Sequence, residues 1–232
     1  MALPKIQQPL FELKLPICGK RIKFRPFLVK EEKILLVGKE ADSKQQMLAL
    51  KQLLKAVVQE PKNFNPTDLI LADMEYLFIN LRARSVQNIV ELKYRDKEDG
   101  KVYDFSVNLD ELEPEIDPNH KNTIDLDGNI GIKLREPTIG LLEELDIGQA
   151  DLNDNVYELL AGCIEQVYDS EQVYDEFTKE EAIEFITSLD INMFTKIKDF
   201  FDTLPKLTHT FEYVNSSGNN RKIVLQGLQD FF

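Results

Sequence analysis

With two cysteines, two histidines and no tryptophan in 232 residues, the chain has few of the side chains that most often carry chemistry. A structural zinc site needs four Cys or His ligands, usually on paired turns at hairpin tips. Cys18, His120, Cys163 and His209 are the whole supply and lie scattered, so no zinc is expected. Two distant thiols read as free cysteines of a reducing compartment. No segment approaches the roughly 20 consecutive apolar residues of a membrane helix. The opening Met-Ala-Leu-Pro-Lys-Ile-Gln-Gln lacks the apolar run of a signal peptide. The expectation is a soluble protein made in a cytoplasm. A Gly-x-Ser-x-Gly elbow and a glycine-rich phosphate loop are both missing. Two histidines leave little choice for a Ser–His or Cys–His pair. His209, between Thr208 and Thr210 in an alternating segment, reads as an exposed or hydrogen-bonded strand residue.

Acidic residues, by contrast, are plentiful, and the net charge is −13. Residues 1–60 hold 12 Lys/Arg against 6 Asp/Glu, whereas residues 110–232 hold 9 against 27. From Glu136 to Glu184 there are 15 acids, opposed only by Lys179. Such a field repels phosphates, so nucleic acid is not an expected partner. It either steers a basic protein surface, or the chain's own basic portion, into place, or serves only as a solvated face. Paired carboxylates are too common here to single out a general acid and base. Glu143/Glu144 and Glu180/Glu181 read as helix-surface and first-turn acids. Asp125, Asp127, Asn129 and Glu136 have the spacing of calcium-loop positions 1, 3, 5 and 12, but Ile130 stands where the sharp turn needs glycine. An Asp127-Gly128 hairpin turn is the simpler reading. Asp151, Asn153 and Asn155 fail in the same way, with Val156 at the glycine position.

The periodicity predicts an α+β fold. Leu10–Leu15 and Ile22–Arg25 alternate about a Cys18-Gly19-Lys20 turn, which predicts a hairpin. Helical spacing runs from Lys30 through Ile34, Leu35 and Val37, then from Ser43 to Gln59 with Met47, Leu50, Leu54 and Val57/Val58 on one face. Thr67 reads as the cap of a helix burying Leu71, Met74, Leu77/Phe78 and Leu81. Hairpins are predicted at 89–109, 124–134 and 208–225. Helices are predicted at 138–146, 152–168, 178–189 and 192–204, the third opened by a Thr178-x-x-Glu181 capping box. Three parts follow: a basic hairpin and helices at 1–60, a helix with β-hairpins at 61–135, and an acidic helical part with a terminal hairpin at 136–232. All three can also fold as one compact unit. A helix followed by a Tyr-containing hairpin occurs at 67–109 and again at 192–226, a weak internal echo.

Aromatic residues gather near turns and ends: Phe24, Phe27, Phe200, Phe201, Phe231 and Phe232. The closing Phe231-Phe232 is costly to leave in water, so it docks on its own core or on a partner. Hairpin edges are templates for another chain. The interface candidates are Phe24, Arg25, Pro26, Phe27, Phe231 and Phe232.

Two stretches carry a resemblance. One is Leu13-Lys14-Leu15-Pro16, Gly19-Lys20 and the run Ile22-Lys23-Phe24-Arg25-Pro26-Phe27-Leu28-Val29-Lys30-Glu31-Glu32-Lys33. The other is Phe200-Phe201-Asp202-Thr203-Leu204-Pro205-Lys206-Leu207 with Gly227-Leu228-Gln229-Asp230-Phe231-Phe232; Arg82-Ala83-Arg84-Ser85-Val86 lies between them. Together they resemble the baseplate proteins of T-even-like bacteriophages over essentially the whole chain. The resemblance implies a component of the central hub of a contractile-tail baseplate, bound to other tail proteins. Its alternative is a transient hub-assembly chaperone absent from the finished virion. It implies no enzyme, cofactor or metal, and a location in the host cytoplasm during assembly and in the tail baseplate if retained. A metal-dependent hydrolase using the acidic belt is the rival of a different class.

Overall fold

A computed structural model describes residues 6–33, 43–145, 156–227 and 230. The fold is α+β, with small antiparallel sheets. Strands β1 (Phe11–Lys14) and β2 (Arg21–Phe24) precede helix α1 (Ser43–Val57), β3 (Val58–Glu60), helix α2 (Leu71–Ser85) and the strands β4 (Ile89–Arg95) and β5 (Val102–Asn108). Next come β6 (Thr123–Asp125), β7 (Gly131–Leu134), helices α3 (Ile139–Glu144) and α4 (Val156–Cys163), and strands β8 (Ile164–Tyr168) and β9 (Val173–Tyr174). Helices α5 (Lys179–Ser188) and α6 (Ile191–Asp202) lead to β10 (Thr208–Val214) and β11 (Asn220–Gln226). The chain divides into two compact units, one of Met1–Pro66, Ala72–Glu115 and Lys206–Phe232, the other of Thr67–Leu71 and Ile116–Pro205.

In the first unit β2 lies between β1 and β3, with Phe11 opposite Phe24 and Val58 also opposite Phe24. The helical spacing from Ser43 predicts a helix to Gln59. It stops at Val57 because β2 takes Val58 and Glu60 as ladder partners, and a β-branched valine suits that pleated position. Residues 29–33 are helical as expected; Ile34, Leu35 and Val37 lie outside the described residues. Helix α2 begins after a short 3₁₀ turn, Pro66–Asp68. It is buried on nearly every side, with Met74, Leu77, Ile79 and Leu81 at 0% exposure. That burial makes it a core helix of its unit.

One charged side chain sits inside that helix. Asp73, also at 0% exposure, accepts the N–H groups of Ile17 at 3.0 Å and Cys18 at 2.9 Å. Those amides belong to the turn joining β1 to β2, where no ladder partner is available. A buried carboxylate is tolerated when donors surround it, and here it ties the N-terminal hairpin to α2.

The second unit is a four-stranded sheet in the order β6-β7-β8-β9 packed with helices. Leu126, Ile132, Leu134, Leu160, Ile164, Ile186, Ile197 and Phe200 form its core. Sequence spacing predicts one helix over 152–168. The helix ends at Cys163, and Ile164–Tyr168 is a strand pairing Val167 with Ile132. Residues 152–155 of that expectation lie outside the described residues. A Cβ at Gly131 would lie 2.1 Å from the Tyr168 ring, so any side chain there has to displace the end of that tyrosine. Helix α5 opens with the expected capping box of Thr178 and Glu181.

Asp73→Ala leaves the Ile17 and Cys18 N–H groups without their charged acceptor. It is expected to lower unfolding stability by about 3 kcal/mol in urea denaturation of the full chain, and Asp73→Asn, which keeps one acceptor oxygen, by roughly half as much.

Candidate protein interface

The hairpins β4–β5 and β10–β11 have equal seven-residue strands in unbroken register. Alternation gives each one inward face: Val90, Leu92, Tyr94, Tyr103, Phe105 and Val107 on the first, His209, Phe211, Tyr213, Ile223 and Leu225 on the second. These faces meet. Phe105 stacks on Phe211 at 4.8 Å, and Tyr103 packs on Tyr213 at 4.7 Å. Ile79 and Ala83 of α2 close the same cluster with Leu109, Leu112 and Leu207. The internal echo therefore becomes a pair of hairpins packed face to face.

At the tips the contact turns polar, where zinc-bound hairpin pairs would place thiolates. One tip supplies acids and the other supplies donors. Asp96, at 0% exposure, accepts the Tyr213 hydroxyl at 2.6 Å and pairs with Arg221 at 3.4 Å. Glu98 accepts the side-chain amides of Asn215 and Asn219 and pairs with Arg221 at 3.2 Å. Asp99 accepts the Tyr103 hydroxyl at 2.6 Å and both the backbone N–H (3.0 Å) and hydroxyl (2.8 Å) of Ser216. Each tip also caps its own turn: Asp96 accepts the Glu98 amide, and Asn215 accepts those of Ser217 and Asn219. Hydrogen bonds to the ionised form hold both aspartates below the usual carboxylate range, chiefly from Tyr213 for Asp96 and from Tyr103 for Asp99. Burial and the bond to Asp96 push the Tyr213 phenol up to about 12. These residues were not singled out from sequence. The signal was an Asx residue opening each tip with a glycine near its end.

The six sequence-derived candidates fall in three places. Phe24 is 2% exposed and packs on Phe11 at 6.0 Å, inside the first unit. Arg25 makes two 2.8 Å bonds to Glu31 and donates to the Pro26 and Ala56 carbonyls. Pro26 and Phe27 are half-buried on the turn this ion pair fixes, and the Phe27 N–H donates to the Ser85 hydroxyl at 3.1 Å. Phe231 and Phe232 lie outside the described residues.

Of the groups weighed as ligands, Asp151, Asn153 and Asn155 lie outside the described residues, and Asp125, Asp127 and Glu136 are engaged otherwise. Asp125 accepts the Gly128 N–H, and Asp127 accepts those of Asn129 and Ile130, which is the Asp-Gly turn holding itself. Lys196 of α6 donates to the Asp125 and Leu126 carbonyls. Glu136 accepts from Asn122 and lies 3.5 Å from the His120 ring, which stacks on Phe200. Among the described residues no group of three or more His, Cys, Asp or Glu could hold a metal ion, and no helix is long and apolar enough to cross a membrane. Burial pushes the Cys163 thiol up to about 12, far from thiolate chemistry.

The two units differ sharply in charge. The first carries 22 Lys/Arg and 19 Asp/Glu, a net of +3; the second carries 6 and 22, a net of −16. What the molecule offers is therefore surface: an acidic unit, a near-neutral clasped unit, and open sheet edges. A model of the family described as T4 bacteriophage base plate protein matches residues 8–232. The chain belongs to that family. No curated protein and no solved structure matches it. The base plate family is one of structural phage proteins, which sets the protein among those of the tail baseplate. That agrees with the likeness carried by the 13–33 and 200–232 stretches.

The clasp of this base plate protein is expected to be acid-labile. Because the folded-state values of Asp96 and Asp99 are depressed, their stabilisation is complete above the ordinary aspartate value of 3.8 and is lost as pH falls from there through the folded-state values. Thermal melts between pH 7 and about 2 should show a falling midpoint in the wild type. The double variant Asp96→Asn, Asp99→Asn should melt lower at neutral pH and depend less on acid.

Proposed function

We propose that the protein is a structural component of the baseplate hub of a contractile-tailed phage, made in the host cytoplasm and retained in the tail, where it connects other tail proteins without a catalytic centre or cofactor. The observation that carries this reading is the separation of charge by fold. An excess of 16 acids in one compact unit suits it to a basic protein surface and makes nucleic acid a poor partner. The belt from 136 to 184 lies in that unit. Pro26 and Phe27 present a half-exposed apolar turn fixed by the Arg25–Glu31 pair, which suits it to a second contact; Phe24 and Arg25 support that turn from within. Phe231 and Phe232 extend the apolar material available for docking.

Mass spectrometry of purified virions tests retention. A stoichiometric amount supports the hub component, whereas presence in infected cells and absence from virions would make it an assembly chaperone that leaves.

Steering by the acidic belt makes association with the baseplate partner salt-sensitive. The association rate, measured by stopped flow, should fall by at least about tenfold between roughly 0.05 and 0.5 M salt. An unchanged rate would reduce the belt to a solubility device.

A further inference from the structure

We propose that the β9 edge of the second unit's sheet is a strand-addition site for an extended basic segment of another tail protein. The proposal rests on the reading of the acidic unit as a docking surface and names where and how the partner is held. Strand β9 is the outermost strand of the order β6-β7-β8-β9, and all six residues from Glu171 to Asp175 and Glu176 are exposed. Two of them are large and apolar, Val173 at 57% exposure and Tyr174 at 42%.

The ladder shows which backbone groups are on offer. The Asp169 N–H donates to the Gln172 carbonyl at 3.0 Å, closing the β8–β9 turn. In an antiparallel ladder bonded and non-bonded pairs alternate. The Val167–Tyr174 pair is therefore bonded, and in the Tyr168–Val173 pair both residues turn their N–H and C=O away from each other. Val173 thus presents one donor and one acceptor on the open side of the sheet. The edge is guarded by its shortness, two residues, and by its acids, whereas Pro, Lys and bulges do not occur between Gln166 and Thr178, so a partner of opposite charge is the one not turned away.

Those charges select the occupant. Asp169, Glu171, Asp175 and Glu176 line the strip, and no Lys or Arg lies between Gln166 and Thr178. A self-pair of two copies centred on Val173 would bring the acids flanking this short strand in one copy up to those of the other, and such crowding of like charge is unfavourable. Glu171, in the turn that closes β8–β9, and Asp175, just beyond the strand, flank the Val173–Tyr174 pair on either side. The fitting partner has a basic residue, an apolar residue and a basic residue at alternate positions, matching acid, valine and acid.

The test uses the full chain and two short capped peptides, one with lysine, valine and lysine at alternate positions and one with glutamates replacing the lysines. Binding is read by titration calorimetry and by hydrogen exchange of the Val173 amide. The lysine peptide should bind and protect that amide, and the glutamate peptide should do neither. Val173→Pro removes an outward N–H that the sheet itself does not use, so the chain should fold and bind the lysine peptide roughly tenfold more weakly. The exposed pair Glu171→Lys, Asp175→Lys should reverse the preference between the peptides. Equal binding by Val173→Pro, with weakening in the charge-reversed variant, would overturn strand addition while leaving acidic docking intact. Insensitivity to charge reversal would overturn the acidic docking itself. No binding of the lysine peptide, or equal binding of the glutamate peptide, would overturn the proposal.

Discussion

Each of the two tyrosine-bearing hairpins needs the other. A two-stranded hairpin alone is marginal in water because it has one apolar face and nothing to bury it against. Here Phe105 finds Phe211 and Tyr103 finds Tyr213, while Ile79 and Ala83 of α2 shut the base of the layer. At the tip the dependence is electrostatic. Asp96 is fully buried, and its carboxylate is held by Tyr213 and Arg221 from the other hairpin as well as by the Glu98 amide of its own. The residues that meet are 117 positions apart. The first unit cannot be complete until the last strands of the chain have been made.

The intervening chain leaves and re-enters at one point. Glu115 and Lys206 exchange both backbone hydrogen bonds, at 2.8 and 3.1 Å. Most of the second unit, residues 116–205, is thus inserted between two residues that pair directly. Loop-closure entropy grows slowly with length, so a structured insertion at a closed pair costs the host unit little beyond what a much shorter loop would.

Local signals in the sequence were legible where local physics decides. The alternation at 89–108 and 208–226, the Thr178–Glu181 capping box and the Asp127-Gly128 turn each appear as read. Reading failed where a distant partner decides. Ile164 to Tyr168 continues an apolar helical spacing, yet β7 recruits it as a strand; Val58 likewise leaves a helix for β2. The clasp was invisible for the same reason, since acids at one tip and amides at the other acquire meaning only when the tips meet. Phe24 looked like turn-side aromatic material, whereas its pairing with both Phe11 and Val58 turns it into the core. Charge was legible as blocks along the chain, and the fold sharpened it by gathering the first 66 residues, a middle stretch and the last hairpin into one unit.

Membership in the base plate family and the commitment of the polar side chains point the same way. In the clasp, Asp96, Glu98 and Asp99 spend their oxygens on tyrosine, serine, amide and guanidinium donors; in the second unit Asp125 and Asp127 spend theirs on their own turn. A carboxylate engaged by fixed donors has few lone pairs left for substrate, so these acids serve shape. Many of the second unit's acids, Glu171, Asp175 and Glu176 among them, are exposed, and the field of such charges reaches about a Debye length into solvent. Acids engaged by nearby donors thus fix the scaffold, whether buried like Asp96 or exposed like Glu98, Asp125 and Asp127. The supply of nearby donors decides whether a given carboxylate holds the fold or contributes to the field proposed to meet a partner.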